Sequence, residues 1–326
     1  MGVTIKDIAK HAGVSYSTVS KALLNSPLVK EDTKKKVVTI AKELGYQPNA
    51  AARSLVSKKS NTIGVVWPNV ERPVHASLIT KINKRLDDLN YTTLMSINNI
   101  CDAVNTFNRF QVDAILVFDG EGATNYFSSK VPVVVYGLKN DENPYPIVDV
   151  NRKFAIKSAV HYFHEIGHKK ISYIGDLPVD SFQLEKVTGF KEALAECQLK
   201  HFEHSILSVE GLNQHDGYLA TKKLLESGDK PTAIISGSND LSKGALRAIS
   251  ESNLKIPEDI SIISYDNLPQ KEGVSVPLSI VGVPLDKITE KLTDTLIDVI
   301  NQKEVERSII LSPEIKITES CERVQN

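Results

Sequence analysis

Two short amphipathic stretches joined at a single glycine, right at the start of the chain, restrict its fold more than any other feature. The run Thr4-Ile5-Lys6-Asp7-Ile8-Ala9-Lys10-His11-Ala12-Gly13-Val14-Ser15-Tyr16-Ser17-Thr18-Val19-Ser20-Lys21-Ala22-Leu23 reads as two helices meeting at Ala12-Gly13-Val14. Thr4 stands just before the first apolar residue of one helix, and Ser15 has the same relation to the other. A hydroxyl at that position can cap a first turn. Ile5, Ile8, Ala9, Val14, Val19, Ala22 and Leu23 would share a small core, leaving Tyr16, Ser17, Ser20 and Lys21 on the outer face of the second helix. A helix seated in a major groove needs short polar side chains at its N-terminal end, so the pattern points to double-stranded DNA as a partner.

Charge sets the same region apart. Residues 1–60 carry ten Lys and one Arg against two Asp and two Glu, a net of +7, which leaves −8 for the rest of a chain whose total is −1. A basic head on an acidic body is the electrostatic footprint of a modular nucleic-acid binder, although Lys34-Lys35-Lys36 alone would fit a solvated helix face. Cys101, Cys197 and Cys321 are odd in number and share no metal-ligand spacing, which speaks for inert thiols in a reducing compartment rather than disulfides or a metal. The N-terminus has no apolar signal core, and no run of about 18 apolar residues occurs. A cytoplasmic protein with no membrane partner is expected.

Beyond Thr62 the texture becomes short apolar strands alternating with helices. Strands are expected at Thr62–Trp67, Thr92–Ile97, Ala114–Phe118 and Val131–Tyr136, then at Ile171–Ile174, Ala233–Ser236, Ile260–Ser264 and Ile280–Val283. Between them lie helical stretches at Ala76–Leu89, Lys153–Ile166, Leu184–Cys197, Gln214–Glu226 and Leu241–Ser252, with a shorter one inside 99–111. Such alternation implies parallel sheets covered on both faces, and two sets of strands imply two sheets. A last helix near Leu285–Ile300 and strands near Ser308–Ile317 are placed to return to the first sheet.

The Thr4–Leu23 run resembles the N-terminal signature of the LacI/GalR (lactose-repressor/galactose-repressor) family. So do Leu44-Gly45-Tyr46-Gln47-Pro48-Asn49, at the end of a third helix from Glu31, and Ala50-Ala51-Ala52-Arg53-Ser54-Leu55 after it. The match is looser in the core, where Gly167-His168-Lys169-Lys170-Ile171, Gly189-Phe190 and Ile263-Ser264-Tyr265-Asp266 carry it. The resemblance implies an all-α helix-turn-helix head plus a two-lobed α/β core like periplasmic binding proteins, built from two doubly wound parallel sheets. The implied domains are 1–46 for the head, 47–60 for a hinge helix and linker, 61–150 with 285–318 for the first lobe, and 151–284 for the second.

Roles follow residue by residue. Tyr16, Ser17 and Lys21 are the expected base readers; lysine at 21 lacks the bidentate fork of the arginine most relatives carry there. Thr4, Ser15, Thr18 and Ser20 are expected as phosphate or capping contacts, which set register without reading sequence. Pro48 would open the hinge helix, Asn49, Ala52 and Arg53 would face the minor groove or the partner hinge, and Leu55 would wedge between base pairs. In the cleft the resemblance implies Lys186, Asn239, Asp240 and Asp266 as effector contacts, with His75 and Tyr136 at the mouth of the first lobe. The family's usual Asp-Asn pair at the start of the second lobe reads Val150-Asn151 here, with Asp149 one place early. The expected effector is a sugar, sugar phosphate or uronate, and this departure, with Lys186 and His75, points to an unusual ligand such as an acidic sugar.

The resulting expectation is a homodimeric, ligand-responsive repressor of carbohydrate-utilisation genes on a pseudo-palindromic operator. One alternative keeps the DNA-binding head but makes the pocket vestigial and hands control to a protein co-regulator. A sugar-transport protein is disfavoured by the attached head. An enzyme is disfavoured because no G-x-G-x-x-G fingerprint, phosphate-binding loop or catalytic motif occurs, and no cofactor or metal is expected.

Overall fold

The computed structural model describes residues 3–46, 59–120, 127–137, 144–176, 181–200, 202, 204–228, 230–266 and 276–324. The chain divides into two units, Met1–Ser60 and Asn61–Asn326.

The first unit holds helices α1 (Ile5–Ala12), α2 (Tyr16–Leu23) and α3 (Glu31–Glu43). The Asp7 carboxylate reaches back to accept from the Thr4 amide at 2.8 Å and the Thr4 hydroxyl at 2.7 Å, closing the start of α1. Gly13 stops α1 with a φ of +67°, a left-handed conformation that costs a side-chain-bearing residue about 1 kcal/mol or more, and its amide donates to the Ala9 carbonyl. Ile8, Val19 and Ala22 are fully buried, whereas Ile5, Ala9, Val14 and Leu23 are only partly so. The remaining core comes from Ala12, Val29 and the α3 residues Val37 and Ala41.

The second unit contains two six-stranded sheets of matching plan. The first comprises β1 (Thr62–Val66), β2 (Thr92–Ser96), β3 (Ala114–Asp119), β4 (Val133–Gly137), β5 (Ile147–Val150) and β11 (Ser308–Leu311), in the order β11-β5-β4-β3-β1-β2, all parallel. The second comprises β6 (Ile171–Asp176), β7 (Ile206–Val209), β8 (Ala233–Ser236), β9 (Ser261–Tyr265), β10 (Ser279–Gly282) and β12 (Glu314–Lys316), in the order β12-β10-β9-β8-β6-β7. Here β12 runs antiparallel to β10. The helices are α4 (Pro73–Asp88), α5 (Ile100–Phe110), α6 (Arg152–Glu165), α7 (Ser181–Glu196), α8 (Gln214–Glu226), α9 (Asn239–Glu251) and α10 (Leu285–Ile300).

Burial on both faces explains the continuous apolar runs of the central strands. Ile63, Val65, Leu116 and Val134 face Leu78, Ile82 and Leu86 of α4 and Leu292 and Leu296 of α10. Their alternates Ile115, Val117, Val133 and Val135 face Val104 and Phe107 of α5. In the second sheet Tyr173, Ile235 and Ile263 pack on α6 and α7, while Ile174, Ile234 and Ile262 pack on α8 and α9.

The structure corrects the expected strand set in two places. β5 and β7 are additional strands: four residues each, one interrupted by Asp149 and the other an edge strand with Ser208 exposed, they lack the apolar run that marked the rest. The expected return of 308–317 to the first sheet holds only for β11; β12 continues into the second sheet. The chain thus passes between lobes near residues 151, 283 and 312, three crossings among the described residues. The shorter stretch inside 99–111 is a full helix, started by the Asn99 side chain accepting from the Asp102 amide at 2.9 Å and ended by Gln111 at a φ of +52°.

Helices α8 and α9 meet through glycines. A Cβ on Gly244 would be driven into the Gln214 carbonyl and the Tyr218 amide, both backbone. Alanine gains about 1 kcal/mol of helix propensity over glycine, yet overpacking against immobile backbone costs about 1–3 kcal/mol. The net cost, up to about 2 kcal/mol, should lower the thermal midpoint of Gly244→Ala by a few degrees, on the order of 2–4 °C. Gly228→Ala, where an added Cβ meets nothing within 4 Å, should leave it nearly unchanged. Circular-dichroism melting of both variants checks this.

Candidate functional site

On the head, α2 presents the predicted contact residues outward. Tyr16 is 55% exposed, Ser17 and Lys21 are exposed, and Thr18 and Ser20 are half-buried. The Ser15 Oγ accepts from the Thr18 amide at 3.2 Å and lies 2.8 Å from the Thr18 hydroxyl and 3.1 Å from that of Ser17, so Ser15 is the cap of α2. Its first turn holds no acidic residue. The positive end of the helix is therefore left for an external anion, as at a phosphate-binding helix start. Thr4 is exposed at the head of α1, its hydroxyl engaged with Asp7. Asn49, Ala52, Arg53 and Leu55 lie outside the described residues.

The second site is the cleft between the lobes of the core, where strand C-terminal ends from both sheets converge, the position ligands take in open parallel sheets. It holds a cavity of about 70 Å³ lined by His75, Tyr136, Lys186 and Asp266 among the predicted residues. Arg72, Phe118, Arg152, Phe182 and Tyr265 join them. Asn239 and Asp240 are not part of the lining: they open α9, where Asp240 pairs with Lys243 at 2.7 Å.

One wall is aromatic. Trp67, directly after β1, stacks on Phe118 at 4.6 Å between ring centroids with the planes 4° apart. Tyr136 lies 5.8 Å from Phe118, and Phe182, from the opposite lobe, 6.0 Å. Such a wall suits the apolar C–H face of a ring while polar groups engage its edge. Burial pushes the Tyr136 phenol up to about 12, so it stays a neutral hydroxyl.

The polar edge is built from charges and one neutral imidazole. His75 Nδ1 donates to the Asn69 carbonyl at 2.9 Å. Burial, reinforced by Arg72, pushes its pKa down to about 4, so at neutral pH Nε2 is a hydrogen-bond acceptor. Buried Lys186 donates to the Gly237 carbonyl at 3.0 Å and sits 4.0 Å over the Tyr265 ring, two contacts that offset the cost of holding an ammonium there. Asp266 ends β9 with a φ of +83°, a conformation aspartate tolerates better than most residues. Its Oδ2 lies 3.6 Å from Arg72 Nη2.

Arg152 is held hardest. Its Nη1 donates to Asp149 Oδ1 at 2.7 Å and to the Val150 carbonyl at 3.2 Å, and the guanidinium lies 3.7 Å over the Phe182 ring. Burial opposes its charge, but its surroundings, Asp149 foremost, more than offset that and raise its pKa above the usual arginine value. This pairing accounts for the sequence departure at 149–151: Asp149 is engaged by Arg152, and Asn151 caps α6 by accepting from the Phe154 amide at 2.9 Å.

Sequence reasoning missed Arg72, Arg152, Phe118 and Phe182. Arg72 and Phe118 had a usable signal, since each sits at the end of a strand or the start of the following helix. Arg152 and Phe182 also stand at helix starts, of α6 and α7, but no motif in the sequence singled them out.

Comparisons with known proteins agree with this geometry. The signature of bacterial regulatory proteins of the lacI family matches residues 4–49, and that of a periplasmic binding protein-like domain matches residues 160–321. Catabolite control protein A of Priestia megaterium is 34% identical over 324 residues, covering 96% of this chain and 97% of that protein. Among solved structures, the lac repressor dimer bound to operator and the anti-inducer ONPF superposes with a TM-score of 0.86 at 22% identity, over 99% of this chain and 100% of that one. A LacI-family transcriptional regulator from Enterococcus faecium with bound ribose superposes with a TM-score of 0.70 at 23% identity, over 81% and 100%.

The neutral His75 has a consequence for stability. Between pH 6.5, the ordinary value, and about 4 the unfolded chain takes up a proton that the folded chain refuses. Stability therefore falls as the pH drops through that window, by up to about 3 kcal/mol, and His75 contributes no pH dependence above it. Urea unfolding of the native chain and His75→Gln at about pH 7 and about pH 4.5 should show the native chain losing more than the variant.

Proposed function

This chain belongs to the LacI family of bacterial regulatory proteins, and we propose that it is a transcriptional repressor that binds a pseudo-palindromic operator as a homodimer and answers to a sugar-type effector in the interlobe cleft. The observation that carries the DNA-binding half is the outward face of α2, with Tyr16, Ser17 and Lys21 exposed beside a helix start whose first turn holds no acid. One such helix reads a short half-site, so a two-fold pair of heads is needed to read a full operator. The effector half rests on the cleft: a carboxylate for paired hydroxyls, donors opposite, and an aromatic wall. Ribose in the Enterococcus faecium regulator is of the class that such a lining suits. A regulator, not an enzyme, is the reading to which the named relatives belong. No helix among the described residues is long and apolar enough to cross a membrane.

In the mechanism we propose, three crossing segments act as the hinge between lobes. Ligand contacts on both sheets bias how the lobes lie, and the residues between head and core pass that bias to DNA. A coupling of about 1–3 kcal/mol suffices for a useful switch.

Three substitutions separate these roles. Lys21→Ala should weaken binding to the gene's own upstream operator by about tenfold to a hundredfold and relax preference at one base pair. Leu55→Ala should weaken specific binding much more than non-specific binding, and equal losses would remove the wedge. Asp266→Ala should leave operator affinity in place and abolish the effector response. Fluorescence anisotropy on operator and scrambled duplexes, with and without a panel of sugars, sugar phosphates and uronates, reads all three.

A further inference from the structure

Away from the cleft, the second lobe carries a carboxylate, an imidazole and a thiol in a row. Lys153, Lys157 and His161 stand four residues apart on one face of α6, opposite Glu192 and Glu196 of α7. The lysines pair with those carboxylates, Lys153 with Glu192 at 2.6 Å and Lys157 with Glu196 at 2.5 Å. His161 ends the row differently. Its Nε2 lies 2.9 Å from Glu196 Oε2, and its Nδ1 lies 3.3 Å from the Sγ of Cys197, the residue after α7. An ionised carboxylate only accepts, so the proton of the neutral imidazole belongs on Nε2. Nδ1 then keeps its lone pair toward the thiol, which donates to it.

A nucleophile, a base in hydrogen-bond reach and a third group orienting that base form the arrangement that activates weak nucleophiles. The cysteine spacing alone suggested inert thiols; a histidine 36 residues earlier in the chain sets Cys197 apart. Cys321, by contrast, donates to the Ile262 carbonyl, which cannot take its proton. Cys197 is half-buried, and the His161 and Glu196 side chains are 41% and 47% exposed, so the row is open to small solutes. Burial, with Glu196 and Glu165 nearby, pushes the Cys197 thiol above its ordinary range. No thiolate stands ready, and the proton must be taken off as the sulfur reacts.

We propose that Cys197 is a modification site for small disulfides, with His161 as its base and Glu196 as the residue that positions the imidazole. Cys197 Sγ attacks one sulfur of a disulfide R–S–S–R, and a new S–S bond forms as the old one breaks. His161 Nδ1 takes the thiol proton and hands it to the departing R–S⁻. One mixed disulfide and one free thiol result, the disulfide itself being the oxidant. Glu196, steadied by Lys157, balances the imidazolium that forms between the two transfers.

The full-length protein is treated with 2-hydroxyethyl disulfide, an uncharged probe, and each cysteine is followed by peptide mass spectrometry. Cys101, exposed in the first turn of α5, serves as the internal reference. The Cys197 rate should climb through the imidazole range, near pH 6.5, whereas in His161→Gln it should climb only above about pH 8.5. At pH 7.5 that variant should slow Cys197 by about tenfold or more and leave Cys101 unchanged. Glu196→Gln keeps the base but loses its orientation, and should slow Cys197 several-fold. Loss of a carboxylate alone would ease ionisation of the thiol and speed the reaction, so the direction separates the two roles. Thermal melting confirms that the variants fold, and either one suffices if the other does not. A Cys197 that stays unmodified while Cys101 reacts overturns the proposal. So does a rate or pH profile that neither substitution slows or shifts.

Discussion

The cleft is organised around the buried pair Asp149–Arg152. Both side chains are 5% exposed, and the 2.7 Å contact between them sits where the chain first leaves one sheet for the other. A pair of this kind adds little to stability relative to apolar residues, but removing one partner strands a buried charge at a cost of about 3–5 kcal/mol. Its worth is therefore in fixing geometry. With Asp149 at the end of β5 and Arg152 at the start of α6, the pair sets how the backbone turns into the second lobe. The guanidinium, lying on Phe182, ties the start of α7 to the same junction. Tyr136, Lys186 and Asp266 line the cavity beside that turn.

A second constraint comes from the sheets themselves. Because their central strands are apolar on both faces, polar function is confined to strand ends, and the duplicated topology faces one set of carboxyl ends with another. The site is thus shared by construction: the aromatic wall and Arg72 come mainly from one sheet, Lys186 and Asp266 from the other. A ligand touching both has differential contact with any two lobe arrangements, which is the physical requirement for shifting an equilibrium between them.

Much of this was legible in the sequence where the signal is local. Gly13 between Ala12 and Val14, Ser15 before Tyr16, and the apolar runs at 114–118 and 233–236 each fix an element through chemistry confined to a few neighbours. Asp266 and Lys186 could be placed from short motifs for the same reason. The unread parts are tertiary. β5 and β7 are too short to show a period, β12 looks like a continuation of β11 until its partner is known, and Arg152 reads as an ordinary surface arginine at a helix start. Asn239 and Asp240 show the converse: a motif at a strand end put them in the cleft, but the local geometry uses them to begin α9.

Asp266 also bears on how sites of this kind diversify over generations. Its backbone sits in a region open at low cost to glycine, asparagine and aspartate, and costlier for residues bearing bulkier side chains. Drift at this position is therefore channelled. A lineage can exchange the carboxylate for an amide, keeping the side-chain length while turning a pure acceptor into a mixed donor and acceptor, with almost no penalty to the fold. The conformation of one residue thereby sets which ligand chemistries lie a single neutral step away.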